Sequence, residues 1–247
     1  MPKGGWTMAE LLLFQLYGPL ASWGEPAVGE YRPTATHPGK SQTTGLLGAA
    51  LGLTREQEKE LAALAGGYGL AVRIDAEGEL LRDYHTTQVP PARRGRRFHT
   101  RREELSVDDL YTILSQRDYQ VEAAWTCALW RREYAPHSLE ELEKALRQPR
   151  FVLYLGRKSC PPALPLNPRV VTTTTLRDGF DRFPPDERLS PLKRPEKHRY
   201  FWEEPLPAGL ESGFTEQEKL WVVPRRDLPG SRRRWQFATR DEHHAMA

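Results

Sequence analysis

Two short basic motifs in this sequence have the residue types that bind phosphate. The first is Lys40-Ser41, in a polar loop that leads into the small-residue segment Gly45–Leu51. That segment is predicted as a helix, with Thr43 and Thr44 as N-cap candidates, and the free N–H groups at a helix N-terminus bind anions. The glycines of the helix also fit close packing of the helix on a sheet, so both interpretations stay open.

The same stretch is similar to the end of a P-loop, the motif that binds nucleoside triphosphates. A P-loop requires a glycine at the position of Thr34, and it requires the loop to follow its strand directly. The predicted strand Leu11–Leu16 ends far before Lys40. The sequence therefore excludes a P-loop triphosphatase.

The second basic motif is Gly156-Arg157-Lys158-Ser159. It follows Phe151–Leu155, which is predicted as the last core strand. A glycine beside two cations and a hydroxyl suits a phosphate cradle. A solvent-exposed basic turn explains the same residues without a ligand.

A third basic region, residues 88–119, has little apolar periodicity and a cluster of arginines. Its flanks, Thr86–Val89 and Tyr111–Leu114, are predicted to pair as the legs of a long hairpin. Guanidinium groups bind phosphates and aromatic rings stack on bases, so this region is predicted to bind RNA. A disordered, solvated loop is the alternative. The candidate residues are Arg93, Arg94, Arg96, Arg97, Phe98, His99, Arg101 and Arg102.

A metal-free ribonuclease would need a base for the ribose 2′-hydroxyl and cations for the phosphorane. His85 beside Tyr84, together with His37 or Lys40, offers such groups. Adjacent residues on a strand point to opposite faces, so Tyr84 and His85 are not expected to act together. We expect them to brace the hairpin or to contact RNA, and a nuclease remains the alternative.

Hydrophobic periodicity predicts the elements that position these motifs. Helices that begin after Thr54 and Ser138 have capping-box sequences. The resulting βαββαβ order is typical of the ferredoxin-like, RRM-like α+β fold, predicted over residues 1–165 with the hairpin inserted at about residues 88–119. The predicted strands are Leu11–Leu16, Tyr68–Ile74, Leu80–Thr87, Gln120–Trp130 and Phe151–Leu155.

Residues 166–247 are predicted as a proline-rich, irregular β C-terminal part that packs against the first domain or a partner. The last residues, 241–247, are expected to be frayed. Short strands are expected at Val170–Leu176, Tyr200–Trp202, Leu220–Val223 and Arg234–Ala238.

The composition is that of a soluble globular protein, with 38% hydrophobic residues, 28% charged residues and a formal net charge of +3. Because no apolar stretch is long enough to span a membrane and residues 1–10 lack a secretory signal, a cytoplasmic protein is expected. Cys127 and Cys160 are expected to be buried free thiols. No metal site and no cofactor are predicted, whereas the clustered arginines indicate an anionic partner.

Three groups of motifs, in order along the chain, carry a family resemblance. They are GPLASWG, PGKS and GLLGAALGL between Gly18 and Leu53, RDYHT at Arg82–Thr86, and YLGRKSCP at Tyr154–Pro161. Together they resemble the CasD family, the subunits of type I-E CRISPR Cascade complexes that hold the 5′ end of the guide RNA.

The resemblance implies a non-catalytic RNA-binding subunit with a protruding basic thumb, because a separate subunit cuts the precursor RNA in these systems. It implies as partners the 5′ handle of the crRNA, the backbone and large subunits of Cascade, and target DNA only indirectly, with no membrane. A purely structural module, whose arginines meet acidic protein surfaces, is the third alternative. The predicted RNA-binding residues are those of the hairpin named above together with Lys40, Ser41, Tyr84, His85, Arg157, Lys158 and Ser159.

Overall fold

A computed structural model gives the structure of residues 8–27, 29–92, 97–231, 234 and 236–247. The architecture is mixed α/β, with mostly antiparallel sheets and few helices. Three of the predicted thumb residues, Arg93, Arg94 and Arg96, lie outside the described residues. Within the described parts of the chain, no helix is both long enough and apolar enough to cross a membrane.

The described strands are β1 (Ala9–Tyr17), β2 (Leu20–Ala21), β3 (Trp23–Gly24), β4 (Tyr31–Arg32), β5 (Thr34–Ala35), β6 (Tyr68–Ala76), β7 (Glu79–Val89), β8 (Tyr111–Val121), β9 (Ala124–Arg131), β10 (Arg169–Thr173), β11 (Arg199–Trp202), β12 (Lys219–Pro229) and β13 (Phe237–Met246). The described helices are α1 (Lys40–Leu51), α2 (Glu58–Gly67), α3 (Arg101–Glu104), α4 (Leu139–Arg147) and α5 (Leu176–Asp181).

Seven strands form one antiparallel sheet in the order β10-β1-β9-β6-β11-β13-β12. The central strands are buried on both faces, which is why β1 and β9 consist almost entirely of apolar residues. On one face, Phe14 and Trp125 pack in one cluster with Leu47 of α1 and Leu142 of α4. The other face packs against Phe180 of α5. The sheet therefore has α1 and α4 on one face and α5 on the other.

A long hairpin, β7–β8, leaves this sheet. Its two strands pair without a register shift from Glu79 opposite Val121 to Val89 opposite Tyr111, so the flanks of the basic segment do lie side by side. The short strands β2 and β4 pair with β8 near its base, β4 in parallel, and β3 pairs with β5. The base of the hairpin is therefore hydrogen-bonded to the segment between β1 and α1.

The predicted strand Gln120–Trp130 is wrong as one element, because it is divided between β8 and β9. Glu122 lies between them with φ of 55°, a left-handed conformation that interrupts a strand ladder. Across from it, Gly78 has φ of 63°, and a Cβ on Gly78 would lie 2.2 Å from the Val121 carbonyl oxygen. These two residues form the bend at which the hairpin leaves the sheet.

The predicted core strand Phe151–Leu155 is also wrong, because this segment has irregular structure. Its backbone N–H groups bond outside any sheet: the Phe151 N–H donates to the Ala49 carbonyl at 3.1 Å, and the Leu155 N–H donates to the Cys160 carbonyl at 2.7 Å. The strand that follows α4 in the sheet is instead β10, which pairs with β1.

The C-terminal strands β10, β11, β12 and β13 continue the same sheet. The expected fraying of residues 241–247 is wrong, since β13 extends to Met246 and both Glu242 and Ala245 are buried. The division of the chain at residue 165 stays a prediction, although strands from both sides of it share one sheet.

Candidate nucleic-acid interface

Helix α1 begins earlier than the sequence predicts. Its N-cap is Gly39, so Thr43 and Thr44 are buried within the helix rather than at its cap. The Thr43 hydroxyl donates back to the Gly39 carbonyl at 2.9 Å instead. The Lys40 N–H donates to Oδ2 of Asp227 at 2.8 Å. A carboxylate of the protein itself therefore occupies the anion position that was predicted for a phosphate.

The side chain of Lys40 is buried and only 3% of the residue is exposed. Its Nζ donates to Oε2 of Glu203 at 2.8 Å and also to the Tyr68 carbonyl. Burial lowers the pKa of Lys40 to about 8, against the opposing effect of the Glu203 carboxylate. The structure contradicts the predicted phosphate contact of Lys40, because an ammonium paired inside the protein is not accessible to RNA.

A buried ionic network links the start of α1 to the hairpin β12–β13. Arg240 contacts Asp227 through Nε at 2.7 Å and Glu242 through Nη2 at 2.6 Å. Arg225 Nη1 also donates to Oε2 of Glu242, at 3.0 Å. The network holds the C-terminal hairpin against the N-terminal end of the helix.

His37 belongs to the same network. Its Nε2 lies 2.9 Å from Oε1 of Glu242, and its ring stacks on Phe201 with a centroid separation of 3.6 Å. Burial, followed by the charge of Arg225, lowers the pKa of His37 to about 4. A buried imidazole that stays neutral at physiological pH does not suit the proton-transfer role considered for a nuclease.

An open groove of about 1180 Å³ lies beside helix α1. Ser41 at the start of the helix and Arg157-Lys158 from the second basic motif both line it, so the fold brings together two motifs that are far apart in the sequence. Arg226 of β12 lines it as well. The arrangement can bind the phosphates of an extended anionic chain.

The remaining lining of the groove is largely apolar. Phe151 and Val152 are 46% and 82% exposed and line the groove together with Tyr154. A Cβ on Gly48 would lie 2.8 Å from Cδ2 of Leu61, so this helix glycine serves close packing, here on helix α2 rather than on a sheet. The groove thus combines cations with apolar and aromatic surface, as single-stranded nucleic-acid sites do.

Arg157 is oriented by the protein backbone. Its guanidinium donates to the carbonyls of Asp118 and Arg32 at 3.3 and 3.2 Å and lies over the Tyr119 ring, 4.7 Å from the centroid. Arginine has five N–H donors, so donors remain for a ligand. The next residues, Lys158-Ser159, are exposed.

The hairpin separates Tyr84 from His85, as strand geometry predicts. Tyr84 lies opposite Gln116 and is 59% exposed, whereas His85 lies opposite Ser115, on the other face. His85 pairs with Asp83 on its own strand at 3.2 Å. Since His37 and Lys40 are buried in the ionic network, the described residues do not bring this candidate nuclease set together on one surface.

The described end of the hairpin carries exposed basic side chains. A single helical turn, α3, begins after Thr100, whose hydroxyl accepts a hydrogen bond from the Glu103 N–H at 3.2 Å. Glu104 pairs with Arg101 at 2.7 Å. Phe98 is half-buried, and the exposed residues are Arg97, His99, Arg101 and Arg102.

The two cysteines are buried free thiols, as predicted. Burial raises the pKa of both Cys127 and Cys160. Among the residues that the structure describes, no three metal-ligating side chains form a group that could hold an ion.

Sequence reasoning missed two parts of the groove. Phe151 and Val152 were assigned to a buried strand, because their apolar character does not distinguish a strand from an exposed apolar wall. Arg226 was not singled out, although two adjacent arginines after the apolar segment LWVVP were a usable signal.

The chain matches the profile of the family described as CRISPR-associated protein (Cas_Cas5) over residues 11–242. It is also 38% identical over 163 residues to the "CRISPR system Cascade subunit CasD" of Escherichia coli (strain K12), an alignment that covers 64% of this chain and 70% of that protein.

Two solved structures have a similar fold. A chain of a "CRISPR RNA-guided surveillance complex" gives a TM-score of 0.61 at 21% identity, covering 98% of this chain and 89% of the other. A "Crystal structure of Cas protein" gives a TM-score of 0.58 at 28% identity, covering 96% of this chain and 94% of the other.

Proposed function

This chain belongs to the CRISPR-associated Cas5 family, and we propose that it is a non-catalytic subunit of a type I-E Cascade complex that binds and caps the 5′ handle of the crRNA. The family and the Cascade subunit to which the chain is 38% identical support the assignment to Cascade. The chemistry of the groove beside α1 supports the assignment to RNA.

The observation that carries the proposal is the convergence of Ser41, Arg157 and Lys158 on one groove. Cations at its rim neutralise phosphates, and Tyr154 in its wall offers a ring on which a base stacks. Phosphate contacts and stacking of this kind do not depend on the identity of the bases. The RNA handle would therefore lie along α1, with Ser159 at the exposed end of the basic motif.

The hairpin β7–β8 would act as the thumb. Its exposed residues Arg97, His99 and Arg102, together with Arg101, would close over the RNA, and Phe98 would act as a spacer or stack on a base. Arg93, Arg94 and Arg96 are proposed for the same role on their sequence position alone. The order β10-β1-β9-β6, with helices between β1 and β6 and between β9 and β10, is our basis for interpreting the sheet as ferredoxin-like.

The backbone and large subunits of Cascade are the proposed protein partners, target DNA is reached through them, and the cytoplasm is the proposed location. A structural module without RNA contact is the competing proposal. Co-expression of the chain with its genomic neighbours, purification of the assembly and sequencing of RNA 5′ ends separates the two. A uniform 5′ tag derived from the repeat supports the handle-binding function, and a stable assembly without RNA overturns it.

The alternative of a metal-free endoribonuclease requires a proton-transfer group that can reach RNA. The exposed candidates are Tyr84 and His85, and His85 has Asp83 as its carboxylate partner at 3.2 Å. The purified chain, incubated in chelator with RNA that contains the repeat, is expected to leave it intact. Site-specific cleavage that His85→Ala abolishes while binding persists would establish the nuclease instead.

A further inference from the structure

Three neighbouring strands place two tyrosines on either side of a glutamine. Gln116 of β8 lies opposite Tyr84 of β7 and opposite Tyr31 of β4. Directly paired residues share a face of a sheet, and neighbouring strands lie about 4.8 Å apart. The two tyrosines therefore flank Gln116, separated by roughly two strand spacings.

One of these tyrosines is held rigidly. The Tyr31 hydroxyl donates to Oδ2 of Asp118 at 2.6 Å, and Arg82 Nε donates to Oδ1 of the same carboxylate at 2.9 Å. The Arg82 guanidinium also lies 5.0 Å from the centroid of the Tyr31 ring. Burial of Asp118, which is 2% exposed, fixes the anchor of this ring. Tyr84, in contrast, has its ring in solvent.

A cavity of about 440 Å³ opens between these side chains, lined by Glu30, Tyr31, Tyr84, Leu114, Ser115 and Gln116. Its volume is that of a small-ligand site. Two aromatic rings offer stacking faces, and the amide and the carboxylate offer hydrogen bonds at its edge. None of its lining residues lines the groove beside α1, so the two cavities are separate.

We propose that this cavity holds one unpaired RNA base, adenine or cytosine, whose amino group lies where guanine, hypoxanthine and uracil carry a carbonyl oxygen. The proposal rests on the RNA-binding function proposed above and adds a base-selective subsite at the root of the hairpin. The base stacks on Tyr84 and Tyr31, and its hydrogen-bonding edge faces Gln116 and Glu30.

The selectivity follows from the two polar side chains. The Gln116 amide supplies both a donor and an acceptor, so it can pair with the edge of any base and does not discriminate between bases by itself. The Glu30 carboxylate supplies acceptors only. An amino group of adenine or cytosine donates to this carboxylate. Uracil and hypoxanthine have a carbonyl oxygen at the same position, and because that oxygen is also an acceptor, the contact with Glu30 is unfavourable. Glu30 is therefore the residue that sets the preference, and Tyr84 contributes affinity for every base.

The test uses the purified full-length chain and four single-stranded RNA octamers of one base each: adenine, cytosine, uracil and hypoxanthine. The wild type is expected to bind the two amino-base octamers roughly tenfold more tightly than the other two. Glu30→Gln introduces a donor and is expected to reduce this ratio to about twofold. Tyr84→Ala is expected to weaken binding of all four octamers by roughly tenfold, and Tyr84→Phe to restore it.

Tyr111→Ala is the matched control. Tyr111 is 64% exposed on the same hairpin and pairs with Val89, on the face opposite to Tyr84. Its substitution is expected to leave the base preference unchanged, and thermal unfolding of each variant excludes a folding defect.

A wild-type chain without base preference, an unchanged preference in Glu30→Gln, or equal effects of Tyr84→Ala and Tyr111→Ala would each overturn the base subsite. Absence of binding to any octamer would overturn it too. The RNA content of the co-purified assembly decides the handle-binding function separately, so the two proposals fail by different results.

Discussion

The buried ion pair between Lys40 and Glu203 changes what removal of this lysine should do. Breaking a buried pair destabilises a protein by about 3–5 kcal/mol when one charge is left alone. Arg132 also contacts Glu203, at 2.9 Å, so we expect a smaller loss of about 2 kcal/mol for Lys40→Met in urea unfolding.

Lys158→Met is the matched control for Lys40→Met, because Lys158 is exposed at the groove. Its free energy of unfolding should change by less than about 0.5 kcal/mol. The slope of log affinity against log salt for single-stranded RNA should fall by roughly 0.7. If Lys40→Met lowered the salt slope of RNA binding without a loss of stability, Lys40 would contact RNA after all, and its assignment to the buried ion pair would be wrong.

His37 gives the stability a pH dependence. Its pKa is lowered to about 4 in the folded state, chiefly by burial, so the unfolded chain binds a proton first as the pH falls from about 6.5. Stability should therefore decrease by about 3 kcal/mol between pH 6.5 and pH 4. The pKa of Glu242 is held well below its usual range, so protonation of Glu242 affects the stability only at lower pH.

The measurement is urea unfolding at several pH values for the wild type and for His37→Gln, which retains a hydrogen-bonding side chain. The variant should show a flatter dependence between pH 6.5 and pH 4. His85→Gln, on the exposed hairpin, should keep the wild-type dependence. An equally steep dependence in His37→Gln would assign the effect to other groups.

At the level of elements, the bend between the sheet and the hairpin depends on two left-handed residues. A methyl group on Gly78 would lie 2.2 Å from the Val121 carbonyl oxygen at φ of +63°, so Gly78→Ala should cost about 1–3 kcal/mol. Glu122 has φ of 55°, and Glu122→Gly should stay within about 0.5 kcal/mol of the wild type, because relief of strain offsets the added chain entropy. Thermal unfolding checks both.

Hydrogen exchange shows whether the bend or the whole fold is affected. Gly78→Ala should speed exchange in β7 and β8 more than in β6 and β9, since only the hairpin depends on the bend. Uniform acceleration in all four strands would contradict this assignment.

The hairpin tip is predicted to contribute charge rather than stability. Arg97→Ala with Arg102→Ala should lower the salt slope of RNA binding by about 1.4, or roughly 0.7 for each contact. Melting temperature should stay unchanged because both side chains are exposed. Lys59→Ala with Lys144→Ala removes the same charge from the exposed surfaces of α2 and α4 and should leave the slope unchanged. Equal slopes in the two double variants would remove the thumb proposal.

Some elements with local signals were predictable from the sequence, but the predicted helix start after Thr54 was wrong, because α2 begins at Glu58 with Gln57 as its N-cap. The strand Tyr68–Ile74 lies within β6, and the capping box of α4 is confirmed by reciprocal bonds of 2.8 and 3.2 Å between Ser138 and Glu141. Phe151–Leu155 was not predictable, because its N–H groups bond to α1 and to a turn rather than to a strand. Apolar character alone does not encode such distant partners.

For the whole molecule, burial distinguishes the cations that are paired inside the protein from those that are exposed at the groove. The residue types of Lys40 and His37 suggested surface chemistry, but their burial depends on Glu203 and Glu242, which are distant in sequence. Arg157 and Lys158 remained at the groove because a short turn holds them outside the core. A single sequence therefore identified the cations but not which of them were already paired.

The C-terminal residues test whether the chain folds as one unit. Removal of residues 241–247 would delete most of the paired length of β13 and take Glu242 away from Arg225, Arg240 and His37. It would also expose Phe201, which is 5% exposed in the intact protein. We expect the free-energy cost of the unpaired cations and the exposed core to exceed the typical net stability of about 5–15 kcal/mol. The truncated chain should therefore not accumulate as a soluble, cooperatively unfolding protein.

Removal of Ala247 alone is the control for this truncation. It deletes one pair of backbone hydrogen bonds with His198, of 2.8 and 3.1 Å, and should cost about 1–2 kcal/mol without loss of solubility. Soluble yield and thermal unfolding of the two truncations provide the comparison. If the chain ending at residue 240 unfolded with the wild-type melting temperature, the C-terminal half of β13 would not be needed for the stability of the rest of the chain.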